Sequence, residues 1–236
     1  MKKLTVKLMA VILTKLLGAC MSTTSIAIGG GDSWKEEALQ PDGRKLVVER
    51  NVTRKGRHEI GQRPPIGTQS LTFTMVGSAE QVKWEDNYSE ELGGASFNPM
   101  FLGVIKGTAF VVATPAGCLS YNKWGRPNPP YVIFKYQANA WQRIALQELP
   151  GEIVKPNLII SSPDDEVEKS GKRFITADLV ERMNHGFSQP QYKTILREPL
   201  PKERINQKCG DLVLYKGAWI MPNDPVARRM IDLNSK

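Results

Sequence analysis

The sequence has few of the residues on which most catalytic and metal sites depend. Only two of its 236 residues are histidines, His58 and His185, and three are cysteines. A catalytic triad needs a histidine beside its nucleophile, and no Gly-x-Ser-x-Gly, His-Glu-x-x-His or phosphate-loop pattern occurs. No clustered Cys/His spacing of the zinc type occurs either. The sequence therefore predicts no catalytic residue, no metal site and no cofactor.

The sequence also lacks any run of the roughly 20 apolar residues that a membrane-spanning helix needs. Its longest apolar stretch lies near the start, where Lys2, Lys3 and Lys7 precede the apolar residues 8–14. A basic start, a short apolar run and small residues behind it are the three parts of a secretory signal. Lys15 interrupts the apolar part.

Leu17, Gly18, Ala19 and Cys20 close this segment. The four residues resemble the lipobox of bacterial lipoprotein precursors. The resemblance covers about the first 20 residues. It implies that a lipid is attached to the thiol of Cys20 and that the peptide is cut just before it. The alternatives are a plain secretory signal, which gives a soluble periplasmic or secreted protein, and the amphipathic start of a cytosolic protein.

Removal of the signal changes the charge of the chain. The full sequence has 32 basic and 24 acidic residues, a net charge of +8, but four lysines and no acidic residue precede Cys20. The processed chain would have 28 basic residues against 24 acidic ones, a net charge of +4. This modest excess argues against a nucleic-acid partner. The expected partners are the membrane, through Cys20, and an envelope protein or glycan. Because Met21 rather than Asp follows the cysteine, the class analogy favours the outer membrane, facing the periplasm.

Residues 20–33 are rich in Ser, Thr and Gly. Such a composition predicts a flexible tether that reaches about 20 Å. The predicted organisation is a signal peptide at residues 1–19, a lipid anchor and tether at 20–33, and a single β-rich domain at 34–236.

Several pairs of apolar runs, each pair separated by a short polar or glycine-containing turn, predict β-hairpins. The predicted pairs are 34–39 with 45–52, 70–75 with 81–84, 101–105 with 108–113, 131–136 with 141–146, and 211–215 with 218–221. The turns of the third and fifth pairs have similar sequences, which indicates either convergence on one tight turn or an internal repeat.

Helix signals are fewer. Thr176 can cap a helix over 177–184, and Asp224-Pro225 is a typical helix start. The mostly polar residues 151–173 are predicted to form a surface loop. The fold class is therefore mainly β with minor α: antiparallel hairpins in a meander, sandwich or partial barrel, with short C-terminal helices.

If Cys20 carries a lipid, Cys118 and Cys209 remain as an even pair in an oxidising compartment. They are predicted to form a disulfide. The alternative is two unpaired buried thiols.

Two segments are candidate binding loops. Residues 121–131 combine aromatic, basic and proline residues, which suits either a platform for a glycan or proline-rich partner or a packed loop in which tryptophan plugs the domain end. Residues 50–63 form a basic segment, predicted either to contact anionic envelope polymers or to be a solvated connection. The candidate residues of the first loop are Tyr121, Trp124, Arg126 and Tyr131, and those of the second are Arg50, Arg54, Lys55, Arg57 and Arg63.

The functional hypothesis is a cell-envelope lipoprotein that acts as a non-enzymatic binding or assembly module. The alternatives are an envelope-associated hydrolase, for which acidic or histidine side chains must converge in a concave site, and a subunit of an envelope complex.

Overall fold

A computed structural model describes residues 31–201, 203–204 and 209–234. The predicted signal peptide, Cys20 and the tether as far as residue 30 lie outside the described residues. The eleven strands of the described part, in chain order, are β1 Gly31–Leu39, β2 Lys45–Arg54, β3 Ile66–Thr74, β4 Gln81–Asp86, β5 Phe97–Ile105, β6 Thr108–Pro115, β7 Val132–Gln137, β8 Ala140–Ile144, β9 Phe174–Ile175, β10 Val213–Tyr215 and β11 Ala218–Ile220. The helices are α1 Gly117–Lys123, a 3-10 turn Leu146–Glu148, α2 Pro163–Ser170, α3 Ala177–Asn184, α4 Pro190–Lys193 and α5 Pro225–Asn234.

The strands form two main sheets, which confirms the mainly β fold class. One sheet has the order β4-β3-β2-β1-β9 and the other the order β5-β6-β7-β8, while β10 and β11 pair only with each other. All neighbours are antiparallel except β1 and β9. The five predicted hairpins are present, although β1 begins at Gly31, so residues 31–33 of the predicted tether are paired with β2.

The two main sheets pack face to face as a sandwich. Strands β1 and β2 bury alternate side chains, as expected for strands with one core-facing side. Val48, Leu71 and Phe73 of the first sheet share one apolar cluster with Leu102 and Val111 of the second.

Residues 151–173 do not form a surface loop, so that prediction was wrong. Ile153, Leu158, Ile159 and Ile160 are almost fully buried, and the segment contains α2. Leu158 joins the apolar cluster between the two sheets, and Ile159 packs with Trp34 and Val52 of the first sheet. Ile153 and Ile160 pack in a separate cluster with residues of β5 and β6. Their burial removes much apolar area from water, which outweighs the polar character of the segment as a whole.

Two side-chain amides cover the outer edge of β5. Gln40 accepts a hydrogen bond from the Val104 amide at 2.9 Å and donates to the Leu102 carbonyl at 3.2 Å. Asn157 accepts from the Leu102 amide and donates to the Leu102 carbonyl, both at 2.9 Å. These buried amides satisfy backbone groups that a neighbouring strand would otherwise pair.

The similar sequences of the β5/β6 and β10/β11 turns have a local explanation. Both Lys106-Gly107 and Lys216-Gly217 adopt positive φ at two consecutive residues, the conformation of a type I′ hairpin turn. The first hairpin belongs to a main sheet and the second stands apart. Convergence on one turn therefore accounts for the likeness without a repeat.

Candidate functional site

A cleft of about 890 Å³ opens at one end of the sandwich. In the first sheet, Gly31 lies opposite Thr53, Thr53 opposite Thr68, and Gln69 opposite Asp86. These pairs place the start of β1, the end of β2, the start of β3 and the end of β4 together, and we call this the Gly31 end. The cleft is lined by the β2–β3 connection, the segment after β4, α1, residues 160–162, Phe187, Tyr192 and Gly217.

One wall of the cleft is held by a bidentate ion pair between an arginine and an aspartate. Arg54, the last residue of β2, donates from Nε and Nη2 to the two carboxylate oxygens of Asp164 at 2.7 and 2.8 Å. The carboxylate is buried and belongs to the first turn of α2. Arg63 adds exposed pairs to Asp165 and Glu168 of the same helix. The β2–β3 connection is thus held to α2 by charge-assisted bonds, which are stronger than neutral ones.

The same connection also approaches the backbone of the segment after β4 closely. A Cβ on Gly56 would lie 2.4 Å from the carbonyl oxygen of Gly93, and Gly56 has a φ of +128°. Only glycine adopts this conformation readily. Beside it, the Lys55 ammonium lies 4.1 Å from the centre of the Tyr88 ring and 3.9 Å from a Glu90 carboxylate oxygen.

Asp86 organises the segment that forms the cleft floor. Its carboxylate accepts hydrogen bonds from the amides of Ser96 and Phe97, at 3.0 and 2.8 Å, and from the Gln69 side chain at 3.0 Å. Burial nevertheless raises the pKa of Asp86, because the loss of water destabilises the charged carboxylate more than these hydrogen bonds stabilise it. Asp86 therefore supports the backbone of the site.

The C-terminal unit, residues 209–234, borders the same cleft through Gly217. The predicted disulfide between Cys118 and Cys209 is present and attaches this unit to α1. Asn122 and Arg126 add hydrogen bonds to the Gly210 carbonyl at 3.0 and 2.9 Å.

The structure distributes the residues of the predicted 121–131 loop among different roles. Tyr121 lies in α1 and is buried, and so is Tyr131. The Tyr131 hydroxyl lies 2.9 Å from the Gln191 carbonyl and 3.2 Å from the Leu196 amide, and burial raises its pKa to about 12. These two rings contribute to the core rather than to a surface that faces a ligand.

Trp124 and Arg126 do not stack on each other. The partly buried Trp124 ring packs 4.7 Å from Phe97 and joins the sandwich core. Its cationic neighbour is Arg143, at 5.5 Å, whereas Arg126 lies 5.1 Å from the Tyr121 ring. This placement is that of a ring that plugs the end of the domain.

The residues of the predicted anion-contact loop also separate. The strand β2 continues to Arg54, so Arg50 lies within a strand, where it is 1% exposed and pairs with the fully buried Glu36 at 3.1 Å. Arg50 therefore cannot contact an anion in solution. Lys55, Arg57 and Arg63 are exposed at the Gly31 end.

The alternation Leu46, Val48, Arg50, Val52 was the sequence signal that Arg50 faces inward. No comparable sequence pattern predicted the cleft, because the residues that line it are far apart in the chain.

Both histidines, His58 and His185, are exposed. Among the described residues, no three His, Cys, Asp or Glu side chains gather as metal ligands, and no helix has the length and apolar content to cross a bilayer.

Comparisons with protein-family models, curated proteins and solved structures find no significant match to this chain.

Proposed function

We propose that this protein is a lipid-anchored binding module of the bacterial cell envelope and that the cleft at the Gly31 end is its binding site. The observation that carries the proposal is the disulfide between Cys118 and Cys209. Disulfides form and persist in oxidising compartments such as the periplasm. The bond therefore supports export, which is the step that the signal-like residues 1–19 would direct.

The disulfide leaves Cys20 without a disulfide partner within its own chain, since the other two cysteines are joined to each other. A lipid on its thiol gives this cysteine a role and agrees with the Leu17-Gly18-Ala19-Cys20 pattern. Only residues 21–30 then separate the anchor from β1. A Ser- and Gly-rich chain of ten residues is expected to reach about 17 Å, so the folded domain would work close to a membrane surface.

The cleft supports a binding role through its size and its rigid walls. A volume of about 890 Å³ lies within the range of small-ligand and peptide sites. The Arg54–Asp164 pair and the disulfide hold its rim from two sides, so little order has to be gained when a partner binds. Arg57, Tyr88 and Phe187 offer one cationic and two aromatic contacts.

Photo-crosslinking in intact cells tests the proposed site. A photoreactive residue is placed at the exposed Glu90 position in the cleft or, as the control, at the exposed Val47 position near the opposite end of the sheet. We expect an adduct of defined mass from the Glu90 position alone. Equal adduct patterns from both positions, or no adduct from Glu90, would contradict a binding role for the cleft.

A further inference from the structure

The C-terminal helix α5 exposes an apolar stripe. Val226, Met230 and Leu233 follow one another at helical spacing and are each 60–67% exposed. Exposed large apolar side chains normally occur as isolated residues on a protein surface. These three instead lie together on one face of the helix.

The other side of α5 is already occupied. The carboxylate of Asp232 accepts hydrogen bonds from the Tyr215 hydroxyl at 2.9 Å and from the Lys216 ammonium at 2.6 Å. The Arg228 guanidinium lies 5.2 Å from the centre of the Tyr215 ring. These contacts fix the rotation of the helix on the β10/β11 hairpin, so the stripe is held pointing away from it.

Another exposed apolar side chain lies at the same end of the molecule as this stripe. Ile60 is fully exposed in the β2–β3 connection, which also carries the exposed Lys55, Arg57 and His58. This connection and the C-terminal unit both border the cleft, through Arg57 and Gly217. The β2–β3 connection and the C-terminal unit, which carry these exposed side chains, therefore border the same opening.

This end is also the one at which the chain leads back towards Cys20. Gly31 pairs with Thr53, one residue before the β2–β3 connection begins to leave the sheet at Arg54. An anchor at Cys20, separated from Gly31 by only ten residues, favours an orientation in which this end, rather than the Pro41–Gly43 turn at the far end of β1, lies nearest to the membrane.

We propose that the Gly31 end is a membrane-docking face, in which the Val226/Met230/Leu233 stripe and Ile60 enter an anionic phospholipid surface. Apolar side chains beside cationic ones are the combination that binds the interface of anionic bilayers. On α5, Arg229 lies one helical turn from Leu233 and is exposed. On the connection, the exposed Arg57 lies three residues before Ile60. The inference rests on the lipid anchor proposed above, and it orients the cleft mouth towards the lipid.

Hydroxyl-radical footprinting of the full processed protein tests this face. The protein is purified from bacterial membranes and reconstituted into vesicles of phosphatidylcholine, with or without phosphatidylglycerol. Labelling is then measured by mass spectrometry at each exposed apolar residue. We expect labelling at Ile60, Met230 and Leu233 to fall several-fold when phosphatidylglycerol is present. Leu39 and Val47, exposed near the far end of the first sheet, serve as internal controls and should not change.

A pair of matched variants separates docking from folding. Met230→Glu should restore labelling at Leu233 on anionic vesicles, and Val47→Glu should leave it protected. Unchanged labelling of Ile60, Met230 and Leu233 between the two kinds of vesicle would overturn the proposal. So would equal protection of Met230 on both, which would indicate that a second copy of the chain or another protein covers the stripe.

The same samples distinguish failure of the anchor from failure of the face. The mass of the N-terminal peptide shows whether Cys20 carries lipid. If Cys20 is lipidated but labelling does not change, the docking face fails alone. If Cys20 carries no lipid, the anchor fails. The face is then judged by sedimentation: pelleting with anionic vesicles supports it, and its absence overturns it.

Discussion

The indole nitrogen of Trp219 donates a hydrogen bond of 2.9 Å to the carbonyl oxygen of Glu91. This bond joins the β10/β11 hairpin to the segment that follows β4, and it attaches the C-terminal unit in addition to the disulfide and the hydrogen bonds to the Gly210 carbonyl. These attachments lie beside the cleft. The position of the hairpin, and with it the direction of the apolar stripe on α5, therefore depends on them.

Removal of the disulfide should loosen the C-terminal unit first. In Cys118→Ser/Cys209→Ser, we expect the free energy of unfolding to fall by about 2–4 kcal/mol, because the unfolded chain regains the entropy of a long closed loop. Urea denaturation measures this loss, and limited proteolysis should cut within residues 209–234 before it cuts the sandwich. Trp219→Phe keeps an aromatic side chain but removes the indole donor and part of the ring, so it should cause a smaller loss. A double variant as stable as the unaltered protein would contradict a stabilising role for the disulfide.

The buried pair between Glu36 and Arg50 should be costly to break. Glu36 also accepts a hydrogen bond from the Trp34 indole at 3.0 Å, so Glu36→Ala leaves a buried guanidinium and a buried indole donor without that carboxylate. We expect a loss of about 3–5 kcal/mol in unfolding free energy.

The exposed pair of Lys83 and Glu85, at 2.5 Å, provides the control for the Glu36 variant. Water already screens this pair, so Glu85→Ala should change stability little. Similar losses in Glu36→Ala and Glu85→Ala, measured by chemical denaturation, would argue against a structural role for the buried pair.

Asp86 should make stability depend on pH. Because its folded pKa is raised above the ordinary value of 3.8, its protonated form favours the folded state. This contribution is complete below the ordinary pKa and is lost as pH rises through the folded pKa. The stability advantage of the unaltered protein over Asp86→Asn should therefore shrink as pH rises from acid to neutral. Glu85→Gln, at the neighbouring exposed position, corrects for the loss of one carboxylate. An advantage that is constant or grows with pH would contradict this account.

Asn157 should matter more than its position in a predicted loop suggests. Its amide satisfies both backbone groups of Leu102 and reaches the Leu39 carbonyl at 3.0 Å. Asn157→Ala leaves the buried Leu102 amide unpaired, whereas the Leu102 carbonyl keeps its hydrogen bond from Gln40, and we expect a loss of about 1–3 kcal/mol. Asn223→Ala, at an exposed position without positive φ, is a comparison that touches no strand edge. Thermal unfolding that ranks Asn223→Ala as the more damaging change would contradict the role of Asn157 at the edge of β5.

The hairpins could be predicted from the sequence because each is local. Pro41-Asp42-Gly43 sets a turn, and the alternation of buried residues on either side follows the period of a strand. The helix over 177–184 was predictable for the same reason. The pattern and the turn chemistry agree within a single window of the chain.

The cleft and residues 151–173 could not be predicted in this way. Arg54 and Asp164 are 110 residues apart in the chain. Nothing in the sequence around either residue indicates that the two side chains form a pair. The buried run 158–160 is too short for its period to show, and the charged residues of α2 hide it. The basic residues 50–63 and the polar residues 151–173 look like two separate loops in the sequence. In the fold, Arg54 and Arg63 of the first segment pair with acidic residues of α2 in the second.

The central claim is that this chain is exported and anchored through Cys20. Cells that express the full chain are grown with a palmitate analogue, and the purified protein is examined by intact mass and by sequencing of its N-terminal peptide. The account predicts a labelled protein that begins at Cys20, pellets with membranes and loses both label and membrane association in Cys20→Ser. An unlabelled protein that retains Met1 and remains in the soluble fraction would contradict it.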